Sequence, residues 1–482
     1  VNLRPLLRLL GRLLLVLAAA ELVPAVVSAV YGEVYAALAF VTTALFTGLV
    51  GIIAAGLGEG AGEFYRREGI LIVVGGWVFA SLFGALPYLL TGTIASPVDA
   101  LFESASGFTT TGASILTEIE AAGRGVLFWR SFTQWLGGMG IIVLFVALLP
   151  ELGPGARFLY RLEVPGPTAE TLHPRVHDTA SVLWKIYLGL TGAQVVCLLL
   201  AGLDLYDALT HTFSTLSTGG FSPRNASVAA FASPWVEAIV IVFMVIAGAN
   251  FSLYFGILRH RGWNLFRDSE FRLYVAFLAG ATALVTGNLL ASGAYREFPR
   301  ALLDSAFQVA SILTTTGFAT ADFDTWPQLS RVVLVTLMFV GGCAGSTAGG
   351  MKIMRLAIGF KSAFREVRSI FSPSTVLRVF IGGHAVPDPV VRSVVGFLFL
   401  YFSAWGTGVL LLTVGGVGLE TSSSAAIATL GNIGPGLEAV GPTANFAFFS
   451  WWQKLVMVLL MWLGRLEIYS IAAIATVAFW RR

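Results

Sequence analysis

Apolar residues in this chain gather in long blocks rather than at strand or surface-helix spacing. The blocks run, with soft edges, near 6–30, 35–57, 69–92, 125–150, 181–203, 234–258, 271–294, 331–355, 390–416 and 452–478. A helix needs about 20 apolar residues to cross a bilayer, so the pattern predicts an all-α membrane protein with ten transmembrane helices. An even number of spans places both termini on one side.

A second pattern recurs on the outer side of that layout. The segments "DALFESASGFTTTG" (99–112), "DALTHTFSTLSTGGF" (207–221), "DSAFQVASILTTTGF" (304–318) and "SSAAIATLGNIGPG" (423–436) each pass from semi-apolar sequence into a hydroxyl or amide cluster and glycine. The first three open with Asp. Their key glycines read as Gly112, Gly219, Gly317 and Gly434, separated by 107, 98 and 117 residues. Such a period marks an internal fourfold repeat of span, short helix, loop and span. The predicted units are 63–155, 156–262, 263–380 and 381–482, after an N-terminal transmembrane hairpin at 1–62.

A helix of 10–12 residues reaches only about 15–18 Å, half the hydrocarbon thickness. Each short helix must therefore dip in and return as extended backbone, which is tolerated at that depth only when buried in protein or lining water. Four such loops can meet around one axis. Their Thr hydroxyls and carbonyls can then replace a cation's hydration shell, with glycine permitting the backbone angles required. The C-terminal dipole ends of the short helices favour a cation as well. A single Thr-Thr-Thr-Gly signifies no more than a turn; four copies at matched depth predict a shared ion path.

Composition makes lipid the solvent. The 482 residues are 56% hydrophobic and 12% charged, with mean hydropathy +0.81, whereas soluble domains carry about 25% charged residues. The net charge of +3 decides nothing, but its distribution does. The N-terminal arm and the segments 58–68, 151–180, 259–272, 352–392 and 481–482 hold 21 Lys and Arg. The opposite loops hold six: Arg124, Arg224, Arg296, Arg300, Arg331 and Lys454. The positive-inside rule then predicts cytoplasmic termini and outward-facing loops. The Arg- and Leu-rich start has the composition of a secretory signal, but its apolar block continues past Glu21 and Pro24, as a first span would. Cys197 and Cys343 lie in apolar blocks and offer no disulfide framework. No Ser/His/Asp arrangement, buried carboxylate pair or metal cluster stands out, so neither an enzyme nor a covalent cofactor is expected. No nucleic-acid partner is expected either.

These motifs resemble the Trk/Ktr/HKT superfamily of potassium transporters over almost the whole chain. The leading hairpin, the fourth loop "LGNIGPG" and the later "WLGRLEIYS" resemble its bacterial TrkH branch. The resemblance implies four M1–P–M2 repeats in pseudo-fourfold symmetry around one pore, in the bacterial cytoplasmic (inner) membrane. It implies a potassium filter at Thr110, Thr111, Gly112, Ser217, Thr218, Gly219, Thr315, Thr316, Gly317, Asn432, Ile433 and Gly434. Some sodium-conducting relatives carry Ser at the first glycine; glycine at all four favours potassium. The resemblance also implies a homodimer and a cytosolic TrkA-like ring that brings nucleotide control (ATP/ADP or NAD). The basic amphipathic stretch "KIMRLAIGFKSAFREVRSIF" is the expected docking surface. A rival is a proton- or sodium-coupled secondary transporter of the same cation. It calls for two inverted halves and acids inside the spans, whereas the repeats here share one orientation.

The run "GGCAGSTAGGMK" (341–352) falls inside a predicted span. Its glycines should break the helix at mid-membrane. In the resembled family such a break is a gating loop, here Gly341, Gly342, Gly345, Ser346, Thr347, Gly349 and Gly350. Three cations also fall in apolar blocks. Arg130 and Lys185 lie near span ends, where snorkelling suffices. Arg465 lies near the centre of its block, where a cation costs at least about 2.5 kcal/mol. It is either tied to carbonyls or, as the resemblance implies, a positive charge facing the pore below the filter, with Glu467 as a structural or pore-rim partner. The acids Asp99, Glu103, Asp207 and Asp304 are expected as outer caps of the short helices.

Overall fold

The apolar blocks fold as helices, and short outer helices separate them. The structure, a computed structural model, describes residues 2–58, 66–140, 176–258, 264–371 and 377–481. Apart from a tiny hairpin that pairs Phe380–Ile381 with His384–Ala385, its regular structure is helical. Helices α1 (Leu3–Val30) and α2 (Val34–Leu57) form the N-terminal hairpin. They approach closely because a methyl group at Gly11 would lie 2.4 Å from the Ala55 nitrogen.

Four units follow. The first comprises α3 (Arg66–Gly84), the short outer helix α4 (Pro97–Phe108) and α5 (Arg124–Gly138). The second comprises α6 (Val176–Leu200), α7 (Leu205–Leu216), α8 (Pro234–Ala247) and α9 (Phe251–Leu258). The third has α10 (Ser269–Ala291), α11 (Phe298–Leu313), α12 (Gln328–Val340) and α13 (Ile353–Phe371). The fourth has α14 (Asp388–Val414), α15 (Leu419–Leu430), α16 (Trp451–Arg465) and α17 (Ile468–Ala475).

Among the described residues six helices are long and apolar enough to cross a membrane, and eight spans result if two bent pairs count as one each. The bends correct the expectation of unbroken spans at 234–258 and 452–478. The axis turns by 97° between α8 and α9 and by 115° between α16 and α17. The predicted span 331–355 is interrupted, since α12 ends at Val340 and helix resumes only at Ile353. The second half of 125–150 lies outside the described residues.

Each short helix packs against both flanking helices of its own unit and against the second flanking helix of the preceding unit. The series closes on itself, because α4 lies on α16. Ion pairs at the outer rim join neighbouring units in the same order. Arg300 bridges Asp304 and Glu237, Arg331 bridges Asp324 and Glu420, and Lys454 meets Asp99 at 2.7 Å.

Candidate functional site

The four short helices end in one way. Thr109, Ser217, Thr314 and Gly431 are their C-caps, and the next residue is left-handed: Thr110 (φ 56°), Thr218 (55°), Thr315 (58°) and Asn432 (53°). The following amide bonds back to the carbonyl five residues earlier: Thr111 to Ser106 at 2.8 Å, Gly219 to Ser214 at 2.8 Å, Thr316 to Ser311 at 2.8 Å and Ile433 to Ala428 at 2.9 Å. This is a Schellman termination, which ordinarily uses glycine. Three β-branched threonines in its left-handed position hold strain of about 1–3 kcal/mol each, the kind retained where a side chain is needed.

The motif also sets the register. Two residues beyond each left-handed position a glycine is again left-handed: Gly112 (79°), Gly220 (78°), Gly317 (80°) and Gly434 (100°). The second-loop glycine is thus Gly220, not Gly219, and Ser217 is a cap equivalent to Thr109. The sequence held the signal, since thirteen residues separate Asp99 from Gly112, Asp207 from Gly220 and Asp304 from Gly317.

The four loops close into a ring. A methyl group at Gly112 would lie 2.1 Å from the Gly219 carbonyl oxygen, one at Gly220 2.0 Å from that of Thr316, and one at Gly317 2.0 Å from that of Ile433. At Gly434 it would lie 2.8 Å from that of Thr111, returning to the first loop. Outside the ring, a cavity of about 280 Å³ is lined by all four of these glycines.

Buried polar side chains brace the ring from behind. Arg130 on α5 is 1% exposed and donates to Glu103 at 2.7 Å, to Ser114 at 3.0 Å and to the Ser222 carbonyl at 3.2 Å. Glu103 also accepts from the Ile115 amide at 2.9 Å. Snorkelling is therefore not what accommodates Arg130: its charge is neutralised behind two loops. Lys185 is exposed, as snorkelling requires. Nor do the acids act as caps. Ser96 caps α4 and Asp204 caps α7, while Asp99, Asp207 and Asp304 bind Lys454, Arg224 and Arg300.

Directly beneath the ring lies the irregular stretch 341–352. Gly341, Gly345 and Gly350 are left-handed at φ 75°, 70° and 73°. The Cys343 amide donates to Gly248 at 2.9 Å, the Ala344 amide to Glu270 at 2.7 Å, and the Gly349 amide to the Thr315 hydroxyl at 2.7 Å. A methyl group at Gly349 would lie 2.3 Å from the Gly431 carbonyl oxygen. Arg465, the last residue of α16, donates to Thr347 at 2.9 Å and to Gly137 and Gly138 at 2.6 Å each, all backbone carbonyls. Ser346 bonds back to Cys343 at 2.6 Å, and Gly342 packs on Gly248. Glu467 pairs with Arg355 at the head of α13. Lys352, counted above with the inner cations, is 2% exposed and turns its amine onto the Ala348 carbonyl within the stretch.

The cation transport protein TrkH family model matches residues 39–480. The chain belongs to the TrkH family. Within it, the chain is 40% identical over 489 residues to the Trk system potassium uptake protein TrkH of Halomonas elongata. It is 36% identical over 485 residues to that of Escherichia coli K12, and all of each chain is covered in both comparisons. The crystal structure of the potassium transporter TrkH from Vibrio parahaemolyticus superposes with a TM-score of 0.89 at 36% identity, covering all of both chains. As a TrkH-family member the chain is a multi-pass membrane transport protein and not an enzyme.

In this TrkH-family chain all four glycine-bearing loops meet, three with hydroxyls and the fourth with Asn432, and Arg465 meets the stretch beneath them. Sequence reasoning missed Gly220, the Glu103–Arg130 pair and Gln134, which bonds the second loop at the Gly219 carbonyl (2.7 Å) and the Phe221 amide (3.0 Å). The constant Asp-to-glycine spacing marks Gly220. Nothing local marks the other three residues, because Glu103 and Arg130 stand 27 positions apart and Gln134 stands 85 positions from Gly219.

Proposed function

We propose that this chain carries potassium inward across a bacterial cytoplasmic membrane through the ring of four loops. The observation that carries the proposal is the closed cycle of glycine-to-carbonyl contacts, Gly112 to Gly219, Gly220 to Thr316, Gly317 to Ile433 and Gly434 to Thr111. Backbone oxygens gathered that closely take over the hydration of a monovalent cation. Thr110, Thr218 and Thr315 add hydroxyls at the inner end, with Asn432 in place of a fourth. That amide departs from fourfold symmetry and bonds Thr111 at 2.9 Å, which makes the cage less regular.

In this reading the stretch 341–350 is the gate in its closed position, and Arg465 locks it. The gate amide of Gly349 occupies the Thr315 hydroxyl, so closure takes a ligand away from the passing ion. The chain acts as a homodimer under a cytosolic TrkA-like ring that supplies the nucleotide response. The ring docks on α13, where Phe360, Phe364 and Phe371 are exposed beside Lys361, Arg365 and Arg368.

Potassium and sodium flux into liposomes holding the purified chain tests the proposal. Gly112→Ser places a side chain against the Gly219 carbonyl and is expected to lower the potassium/sodium ratio about five- to thirtyfold, since weakening one dipole that coordinates an ion costs about 1–2 kcal/mol, the scale of one hydrogen bond. An unchanged ratio removes the filter assignment. The clearance at Gly434 is wider, 2.8 Å against 2.0–2.1 Å. Gly434→Ser should therefore shift the ratio less than Gly317→Ser in the same assay. Flux that vanishes without a proton or sodium gradient would favour the coupled transporter instead.

A further inference from the structure

In three loops the residue between the two left-handed positions carries a side chain: Thr111, Thr316 and Ile433. In the second loop that residue is Gly219. The missing volume is not empty. A methyl group at Gly219 would lie 2.4 Å from Cδ of Gln134, a fully buried residue of α5 in the preceding unit. Its amide nitrogen donates to the Gly219 carbonyl at 2.7 Å, and its amide oxygen accepts from the Phe221 backbone at 3.0 Å. One planar group therefore grips the chain on both sides of Gly220.

The other units show what stands at this place when the loop has its own side chain. Methyl groups at Gly138 and Gly248 would lie 2.7 Å and 2.8 Å from the C-cap residues Ser217 and Thr314 of the following short helix, so these glycines are equivalent. Methyl groups at Gly137 and Gly464 would lie 1.8 Å and 2.0 Å from the carbonyls of Phe108 and Leu430, which are equivalent in turn. Counting back four residues from Gly138 and Gly248, and three from Gly137 and Gly464, gives Gln134, Met244 and Met461. All three are buried. By this register a methionine holds the position of Gln134 in the units that precede the third and first loops, whose middle residues are Thr316 and Thr111, and the amide falls to the unit that precedes the loop with no side chain there. Despite lacking a side chain, the Gly219 carbonyl keeps the relation to its neighbouring glycine that Thr316 and Ile433 keep to theirs, 2.1 Å against 2.0 Å.

We propose that Gln134 is a positioning residue for cation selectivity: its amide, supplied from a neighbouring unit, replaces the side chain that the second loop lacks and holds the Gly219 carbonyl in the ring. The inference rests on the reading of the ring as the potassium path. Gly219 alone would let its peptide plane turn, since glycine has the widest choice of backbone angles. Two hydrogen bonds from a fixed amide remove that choice.

The test compares potassium/sodium flux ratios in liposomes for four proteins: wild type, Gln134→Met, Gln134→Met with Gly219→Thr, and Gly112→Ser. Gln134→Met installs the residue native to two other units and keeps the packing, but loses both bonds. It should lower the ratio about three- to tenfold, as expected for one or two neutral hydrogen bonds, and lower the melting temperature only modestly, since the two orphaned backbone groups stay packed. The double variant recreates the Met-with-Thr combination of the other units and should return the ratio to within about twofold of wild type. If Gln134→Met does not fold, Gln134→Leu is read in its place. A wild-type ratio in the single variant, a fall in total flux with no change in ratio, or a double variant no better than the single overturns the proposal. Gly112→Ser separates the two levels. If it shifts the ratio while Gln134→Met does not, only the role of Gln134 falls; if neither does, the filter reading falls with it.

Discussion

Replacing Arg465 with Ala is expected to raise potassium flux in liposomes on the order of tenfold. Its guanidinium joins Thr347 of the stretch beneath the ring to Gly137 and Gly138 at the end of α5. Charge-assisted bonds are worth about 1.5–3 kcal/mol each in mutational series, but an open cavity would hydrate the same cation and return most of that. If the stretch is the gate proposed above, a net of about 1–2 kcal/mol favouring its closed position remains, and each 1.36 kcal/mol is about tenfold in a rate or population. Removing the charge also removes repulsion of an ion resting below the ring, so both effects act in one direction. Arg465→Gln divides them. It keeps amide donors for part of the tether without the charge, and its flux should fall between wild type and Arg465→Ala. Flux that is unchanged or lower in a well-folded Arg465→Ala protein would mean that the residue only holds the fold.

The second large effect concerns stability. Glu103→Ala should destabilise the protein by about 3–5 kcal/mol, the usual cost of breaking a buried ion pair from one side. It leaves the buried Arg130 guanidinium charged, with no counter-charge and only the Ser114 hydroxyl and the Ser222 carbonyl as partners, because Arg does not give up its proton in a protein. It also strips the acceptor from the Ile115 amide and the Ser114 hydroxyl, both in the ascending part of the first loop. Arg130→Met should cost less, because Met fills much of the same volume and the Glu103 carboxylate keeps its hydrogen bonds from the Ser114 hydroxyl and the Ile115 amide. Melting curves in detergent measure the order, and flux assays measure the consequence. Glu103→Ala should lose transport at temperatures where Arg130→Met still retains some. Equal melting temperatures for wild type and Glu103→Ala would show that the pair does not brace the loops.

Periodicity explains how much could be read beforehand. The helical class, the four outer segments and the break at 341–352 follow from local composition, since lipid forces apolar blocks into helices and clustered glycines cannot continue one. The bends at Gly248–Asn250 and Leu466–Glu467 were hidden inside apolar blocks that look continuous. At the first, the freed Phe251 amide donates to Gly345 of the following unit, and the Ser252 amide to the Asn250 side chain. Such bends depend on what the neighbouring unit offers, and hydropathy does not record it. The doubled glycine at 219–220 misled for a related reason. Both residues satisfy a glycine pattern, and the choice is made by the termination of α7, whose left-handed residue is Thr218.

By itself the sequence determined that this chain lives in lipid, that it repeats one helix–loop unit four times, and that each loop ends in hydroxyls or an amide and a glycine. Those are local properties: block length, period and residue type act within a turn or two of the chain. Only the tertiary structure decided which glycine closes the second loop, that Arg130 is a buried brace, that Arg465 grips the stretch below the ring, and that Gln134 bonds the second loop on both sides of Gly220. Each of these depends on a buried polar group finding its partner, and in a medium without water that partner comes from whichever helix packs alongside, however distant along the chain.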